Sequence, residues 1–341
     1  DTLTMPDLPM LETILAAKLG DDGRTDSRGR GEDATVNRLE DLSAEITGKE
    51  AAVFMPTGTF ANSTAIMTCC HAGDKVLVEE EQHILLTEKF VFEKDYGRLI
   101  PVCYRLDHKH MPDPEEIDRL LSESGSKLVC LENSHNSAGG YCIDCSTLEK
   151  IRKVADKHGA WIHMDGARLF HAAAYLDTTA SQLCQYADSV MFCVSKGLGA
   201  PIGSLLCSTE DFCKKARENR KLFGGVMRQA GVAAAPAIYA LENNIERLRE
   251  DIENASVIYD MLKGKMKKIG IQEEVQTNII MLDLSKAGIY AEEFCEIAEK
   301  KGLLMRPFRS LVKVRMVLYK GITRQDAVRA AEIVLEIDRS L

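Results

Sequence analysis

Among 341 residues, 52 acidic side chains outnumber 43 lysines and arginines, for a net charge of −9. That balance excludes a surface built to grip nucleic acid, which needs clustered positive charge. The length calls for more than one core, and a large domain followed by a smaller C-terminal one is the ordinary arrangement at this size.

No apolar run approaches the roughly 18 residues that a membrane helix needs, so no membrane partner is expected. The opening Asp-Thr-Leu-Thr-Met-Pro lacks the charged and apolar regions of a secretory leader. Eleven cysteines, an odd count scattered along the chain, then read as reduced thiols in a cytoplasmic protein. Cys142-x-x-Cys145 has a metal-like spacing, but no second Cys or His pair stands near it and it precedes a helix cap. No metal site is expected.

Residues 1–20 combine prolines with a short amphipathic piece, 10–19, and read as an arm that docks elsewhere. Residues 20–33 are rich in glycine and in charges of both signs, which predicts a loop ordered only by a ligand or partner. Val36, Leu39, Leu42 and Ile46 keep the helical period, and Gly48 stops it. A strand at 51–55 leads into Pro56-Thr-Gly-Thr59 and a helix. Small hydroxyl and glycine residues at a helix start can cradle a phosphate on free N–H groups. Thr57 or Thr59 serves equally well as an ordinary N-cap.

Strands are predicted at 75–78, 102–106, 127–131, 161–164, 189–194 and 204–208. Asp113-Pro114 opens one intervening helix, and Ser146-x-x-Glu149 has the form of a capping box for another. Strands and helices alternate through residues 75–207, the signature of a mostly parallel sheet covered on both faces. Beyond it, residues 212–222 form a basic helix and residues 230–248 a single long alanine-rich one. In the strand at 312–318, alternation puts Val312, Val314 and Met316 on one face and Lys313 and Arg315 on the other. The working division is an arm at 1–20, a large domain at 21–248 and a small α+β domain at 249–341.

Two of these strands end in charge: Trp-Ile-His-Met leads to Asp165, and Ser-Val-Met-Phe-Cys-Val to Ser195-Lys196-Gly-Leu-Gly199. In parallel α/β sheets ligands bind in the crevice at the carboxyl ends of the strands. A lysine on a glycine-flanked loop can form a Schiff base with a carbonyl cofactor. An aspartate at a neighbouring strand tip can hold a pyridinium nitrogen protonated, so that the pair suits pyridoxal phosphate. Gly58, Thr59 and Arg228 are available for the phosphate, and His83 for stacking on the ring. No Gly-x-Gly-x-x-Gly follows an early strand, which disfavours a nicotinamide enzyme.

The motifs Glu32-Asp-Ala-Thr-Val-Asn-Arg-Leu-Glu40, Pro56-Thr-Gly-Thr59, Leu131-Glu-Asn-Ser-His-Asn136, His163-Met-Asp-Gly-Ala-Arg168, Ser195-Lys-Gly-Leu-Gly-Ala-Pro201, Met227-Arg-Gln229, Leu241-Glu-Asn-Asn244 and Gln276-Thr-Asn278 run in order over nearly the whole chain. Together they resemble the low-specificity L-threonine aldolases, pyridoxal phosphate enzymes of fold-type I (aspartate aminotransferase-like). The resemblance implies an α/β large domain with a mostly parallel sheet and a smaller α+β C-terminal domain. It implies Lys196 as the cofactor-bearing lysine, Asp165 as partner of the ring nitrogen and His83 as the stacking residue. It assigns the phosphate to Gly58 and Thr59, with Arg228 and Lys221 reaching it, and the substrate carboxylate to Arg168 and Arg315. His135 falls beside the substrate's β-hydroxyl and is the first choice of general base, ahead of His83. The expected reaction is retro-aldol cleavage of L-threonine and related β-hydroxy amino acids to glycine and an aldehyde. A homotetramer, a dimer of dimers with sites shared between subunits, is expected with it. A racemase, with Tyr319 as its second base, or a β-eliminating lyase would keep the same cofactor residues. The resemblance departs at residues 23–33 and at Leu318-Tyr319.

Overall fold

The computed structural model describes residues 1–27 and 29–341; Arg28, within the glycine-rich loop, lies outside the described residues. Seven strands build the larger sheet: β1 (Ala51–Met55), β2 (Lys75–Glu79), β3 (Ile100–Tyr104), β4 (Leu128–Glu132), β5 (Trp161–Asp165), β6 (Ser189–Cys193) and β7 (Ser204–Ser208). Their order across the sheet is β1-β7-β6-β5-β4-β2-β3. Only β7 runs against its neighbours, pairing antiparallel with both β1 and β6. The central strands are apolar on both faces and buried along their length, as a parallel sheet covered by helices requires.

A smaller antiparallel sheet follows, made of β8 (Gly270–Ile271), β9 (Ile279–Asp283), β10 (Arg306–Pro307) and β11 (Lys313–Val317) in the order β10-β11-β9-β8. The helices in chain order are α1 (Leu8–Glu12), α2 (Ala34–Thr47), α3 (Gly58–Cys69), α4 (His83–Thr87), α5 (Pro114–Ser124), α6 (Cys145–His158), α7 (Leu169–Tyr175), α8 (Ala180–Cys184), α9 (Glu210–Leu222), α10 (Gly231–Asn243), α11 (Leu248–Leu262), α12 (Ala291–Lys300) and α13 (Arg324–Ser340). The main apolar core spans the larger sheet and extends to Leu248. A second core, from Ala255 onward, joins α11, α12 and α13 to the smaller sheet.

Several local expectations change. The long helix predicted over 230–248 ends early: α10 stops at Asn243, residues 244–247 form a turn, and a new helix, α11, starts at Leu248. Helix α6 is capped by Asp144, whose carboxylate accepts from the Thr147 N–H, rather than by a box at Ser146. The piece at 10–19 is α1 followed by one 3₁₀ turn, and Met10 anchors it in the main core. The loop at 20–33 is tied down within its own chain, through the Asp21–Arg228 bridge, the Thr25–Gly31 bridge and the buried Asp22–Arg220 ion pair. Among the described residues no helix is long and apolar enough to cross a membrane. Nor does any cluster of His, Cys, Asp and Glu among them suit a metal ion.

Candidate functional site

Pairing register sets the stage. Glu132 at the end of β4 lies opposite Asp165 at the end of β5, and β6 beside them runs on through Cys193 to the Lys196 loop. A cavity of about 360 Å³ opens at these carboxyl ends, lined by Lys196, Asp165, His83, Glu88, Asn62 and the first residues of α3.

Helix α3 begins there for a local reason. Thr57 is its N-cap, and its hydroxyl accepts from the Phe60 N–H. The N–H groups of Gly58 and Thr59, in the first turn, have no helical acceptor and face the dipole's positive end. A Cβ on Gly58 would meet Cys193 Sγ at 2.8 Å, so glycine is what lets the turn sit against β6.

Asp165 is held by its surroundings. Its Oδ1 accepts from the Ala167 N–H at 3.0 Å and its Oδ2 from the Asn62 amide at 2.8 Å. Asn62 Oδ1 lies 3.0 Å from His163 Nε2, and His163 Nδ1 lies 2.9 Å from Ser189 Oγ, which also accepts from the Trp161 indole. The Trp161 indole can only donate and the Asp165 carboxylate can only accept, so the chain of bonds runs one way, with His163 protonated on Nε2. Burial pushes the His163 imidazole down to about 4, which keeps it neutral.

His83 stands at the start of α4, where its N–H donates to Glu132 Oε2 at 2.9 Å. Its Nδ1 lies 3.0 Å from both Glu88 carboxylate oxygens, which places the ring proton on Nδ1 and leaves Nε2 basic. Burial, the largest single influence, disfavours its charged form, but the Glu88 carboxylate together with Asp165 and Glu132 raises the imidazole above its usual value.

His135 is placed differently from the expectation. It is buried and does not line the cavity. Its Nε2 bonds Glu79 at 2.9 Å and its Nδ1 accepts from the Ala138 N–H at 3.1 Å, so both nitrogens are engaged within the chain. Burial opposes its charge, yet Glu132 and Glu79 together raise it. With Nδ1 accepting, the ring is the neutral tautomer protonated on Nε2, which donates to the buried Glu79, and neither nitrogen is an open base.

The two arginines are unequal as well. The fork of Arg168 is already on a carboxylate, with Nε and Nη2 each 2.8 Å from Asp1. Arg315 stacks over Phe308 at 4.1 Å, and its Nη1 donates to Asn136 Oδ1 at 2.6 Å. Arg168 Nη1 donates to the same oxygen at 3.2 Å. Burial, together with the nearby charges of Arg168 and Arg309, lowers the Arg315 guanidinium to about 10.

Arg228 and Lys221 do not join the cavity within one chain. Arg228 is exposed and paired with Asp21, and Lys221 sits exposed in the last turn of α9. The sequence reading passed over Glu88, Asn62, His163 and Asn136. Only Asn136 carried a usable signal, standing in a polar run at a strand tip; the others gain meaning from their three-dimensional neighbours.

The sequence model of the beta-eliminating lyase family matches residues 1–287. "Low-specificity L-threonine aldolase 1" of Arabidopsis thaliana is 34% identical, over 96% of this chain and 91% of that protein. "Alanine racemase TOXG" of Cochliobolus carbonum is 30% identical, over 94% and 83%. A solved structure of a putative L-allo-threonine aldolase from Listeria monocytogenes superposes with a TM-score of 0.79 at 22% identity, covering 98% of this chain and 94% of that one, and it shows the same fold. The chain therefore belongs to the beta-eliminating lyase family, in the group that holds the low-specificity L-threonine aldolases.

Proposed function

We propose that this protein is a pyridoxal phosphate-dependent aldolase that cleaves L-threonine, L-allo-threonine and related β-hydroxy-α-amino acids to glycine and an aldehyde. The observation that carries the reading is the meeting of Lys196, Asp165, the His83–Glu88 pair and the open N–H groups of Gly58 and Thr59 in one cavity. Amine, carboxylate, imidazole face and anion cradle are the donor set this cofactor needs, and the close fit of Gly58 against Cys193 keeps the cradle clear of side chains.

When bound, the cofactor supplies an electron sink for the pair left on Cα as the Cα–Cβ bond breaks. Lys196 holds it through its amine, and Asp165 keeps the ring nitrogen protonated, itself held in place by Ala167 and Asn62. Arg315 takes the substrate carboxylate, with Asn136 orienting its guanidinium. Arg168 supports that arrangement from the other side of Asn136. His83 stacks on the ring and accepts the β-hydroxyl proton at Nε2, and Glu88 stabilises the charge that results. Loss of that proton makes the hydroxyl carbon an aldehyde, and return of a proton to Cα completes glycine.

An oligomer with shared sites, a dimer of dimers, is part of the proposal. Leu3, Met5, Leu8 and Leu15 of the N-terminal arm, and Leu222 on α9, are exposed at 68% or more, apolar side chains that a second copy could cover. A partner subunit would bring its own Arg228 and Lys221 toward the phosphate cradle.

The test is product analysis with L-threonine and with L-alanine in the presence of pyridoxal phosphate. Acetaldehyde and glycine from threonine, together with a visible absorption band that Lys196→Ala abolishes, support the reading. D-alanine as the only product would assign the site to racemisation, and a wild-type protein with no band would overturn the cofactor.

A further inference from the structure

Every backbone carbonyl from Lys196 to Leu198 has a definite partner. The Lys196 carbonyl accepts from the Gly199 N–H at 2.9 Å. The Gly197 carbonyl accepts from Arg247 Nη1 at 3.2 Å, and the Leu198 carbonyl from Asn244 Nδ2 at 2.7 Å. Asn244 and Arg247 are the C-cap of α10 and the N-cap of α11, so both come from the break between those helices.

Both donors are fixed in turn. Asn244 is 5% exposed. Arg247 Nη2 is held by Asp251, whose other oxygen lies 3.3 Å from His171 Nε2. The His171 ring closes the back of the loop: a Cβ on Gly197 would meet its Cε1 at 2.5 Å, so only glycine fits after the lysine. Further along α11, Ala255, Ile258 and Leu262 enter the second core with Val314 and Met316, which flank Arg315 on β11. One helix therefore braces the lysine loop at its start and anchors the strand of the carboxylate-binding arginine farther on.

We infer that Asn244 and Arg247 are positioning residues that set the Lys196 loop from the α10–α11 junction, coupling the lysine to the element that carries Arg315. The inference rests on the cofactor reading above, in which Lys196 holds pyridoxal phosphate.

The test uses the purified full chain and measures three quantities: pyridoxal phosphate affinity by absorbance titration, the pH midpoint of the bound cofactor's visible band, and Tm. Asn244→Asp is isosteric and puts an oxygen against the Leu198 carbonyl; Arg247→Met removes the donor to Gly197. Each is expected to weaken cofactor affinity by roughly tenfold, the worth of one buried hydrogen bond, and to move the band's midpoint by about half a pH unit. Arg247→Lys, which keeps a cationic donor, should recover most of the affinity. Asn243→Ala, whose amide bonds only within α10, should match wild type. If Asn244→Asp does not fold, Asn244→Ser, too short to reach the carbonyl, takes its place. Wild-type affinity and midpoint in both donor-removing variants, whatever their Tm, would overturn the inference. A wild-type protein that binds no pyridoxal phosphate would instead overturn the cofactor reading beneath it.

Discussion

Nδ1 of His83 lies 3.0 Å from each carboxylate oxygen of Glu88, so the ring proton sits between the two residues and Nε2 is left open for the proposed role of base. The base must be neutral to act, and against burial the carboxylates of Glu88, Asp165 and Glu132 together raise the imidazole. The acidic limb of kcat/KM for threonine should therefore lie above the ordinary value of about 6.5. Glu88→Gln leaves burial as the main influence and should move that limb to lower pH. Its plateau should fall roughly tenfold, as a charge-assisted bond becomes a neutral one. A pH–rate profile of the two proteins checks both statements, and an unmoved limb would remove His83 from the role.

Of the two site arginines, Arg315 has no carboxylate on its fork among the described residues, whereas Arg168 is forked onto Asp1. Arg315→Lys loses the planar pair of donors and the stack on Phe308. KM for threonine should rise roughly tenfold or more, with cofactor affinity unchanged. In wild type the same rise should set in as pH approaches about 10, where Arg315 begins to lose its charge. Steady-state kinetics between pH 7 and pH 10 would show it.

His135→Ala and His83→Ala should differ in kind. Removing His135 leaves the buried Glu79 and Glu132 facing each other without the imidazole between them. A stability loss of about 2–4 kcal/mol is expected, seen as a lower Tm. His83 is half-buried at the cavity wall, so its loss should mainly slow cleavage and change Tm little. A His135→Ala protein with wild-type Tm and no cleavage would restore His135 as the base.

Burial holds the His163 imidazole near 4 in the folded chain, against about 6.5 when unfolded. The unfolded state then binds more protons between those values, so stability is complete above about pH 6.5 and declines as pH falls toward 4. The loss reaches at most about 3 kcal/mol. Urea unfolding at pH 7 and pH 4.5 measures it. His163→Gln, which cannot titrate, should show a flatter dependence than wild type over that range.

Much of the architecture could be read without coordinates, because its causes are local. Residues 161–165 and 189–193 are largely apolar and buried on both faces, as strands inside a covered parallel sheet are. The charges at Asp165 and Lys196 then fall at the carboxyl edge by chain geometry alone. Thr57 before Gly58 and Asp113 before Pro114 likewise announce their helices through caps that bond within four residues.

What the linear chain left open are choices between side chains of the same type. His83 and His135 both follow strands that end in glutamate, and the histidine that bonds Glu88 is told from the one that bonds Glu79 only by packing. The Asn243-Asn244 pair carries a local signal for the end of α10, but that Asn244 and Arg247 reach carbonyls 46 and 50 residues earlier in the chain is not legible locally. By itself, then, the sequence determined the sheet, the caps and the charged strand tips, since these follow from near-neighbour chemistry. The tertiary structure alone decided which histidine is open, which arginine is unoccupied and where the lysine loop is braced. Each of those depends on hydrogen bonds between residues far apart in the chain, where burial makes a missing partner costly.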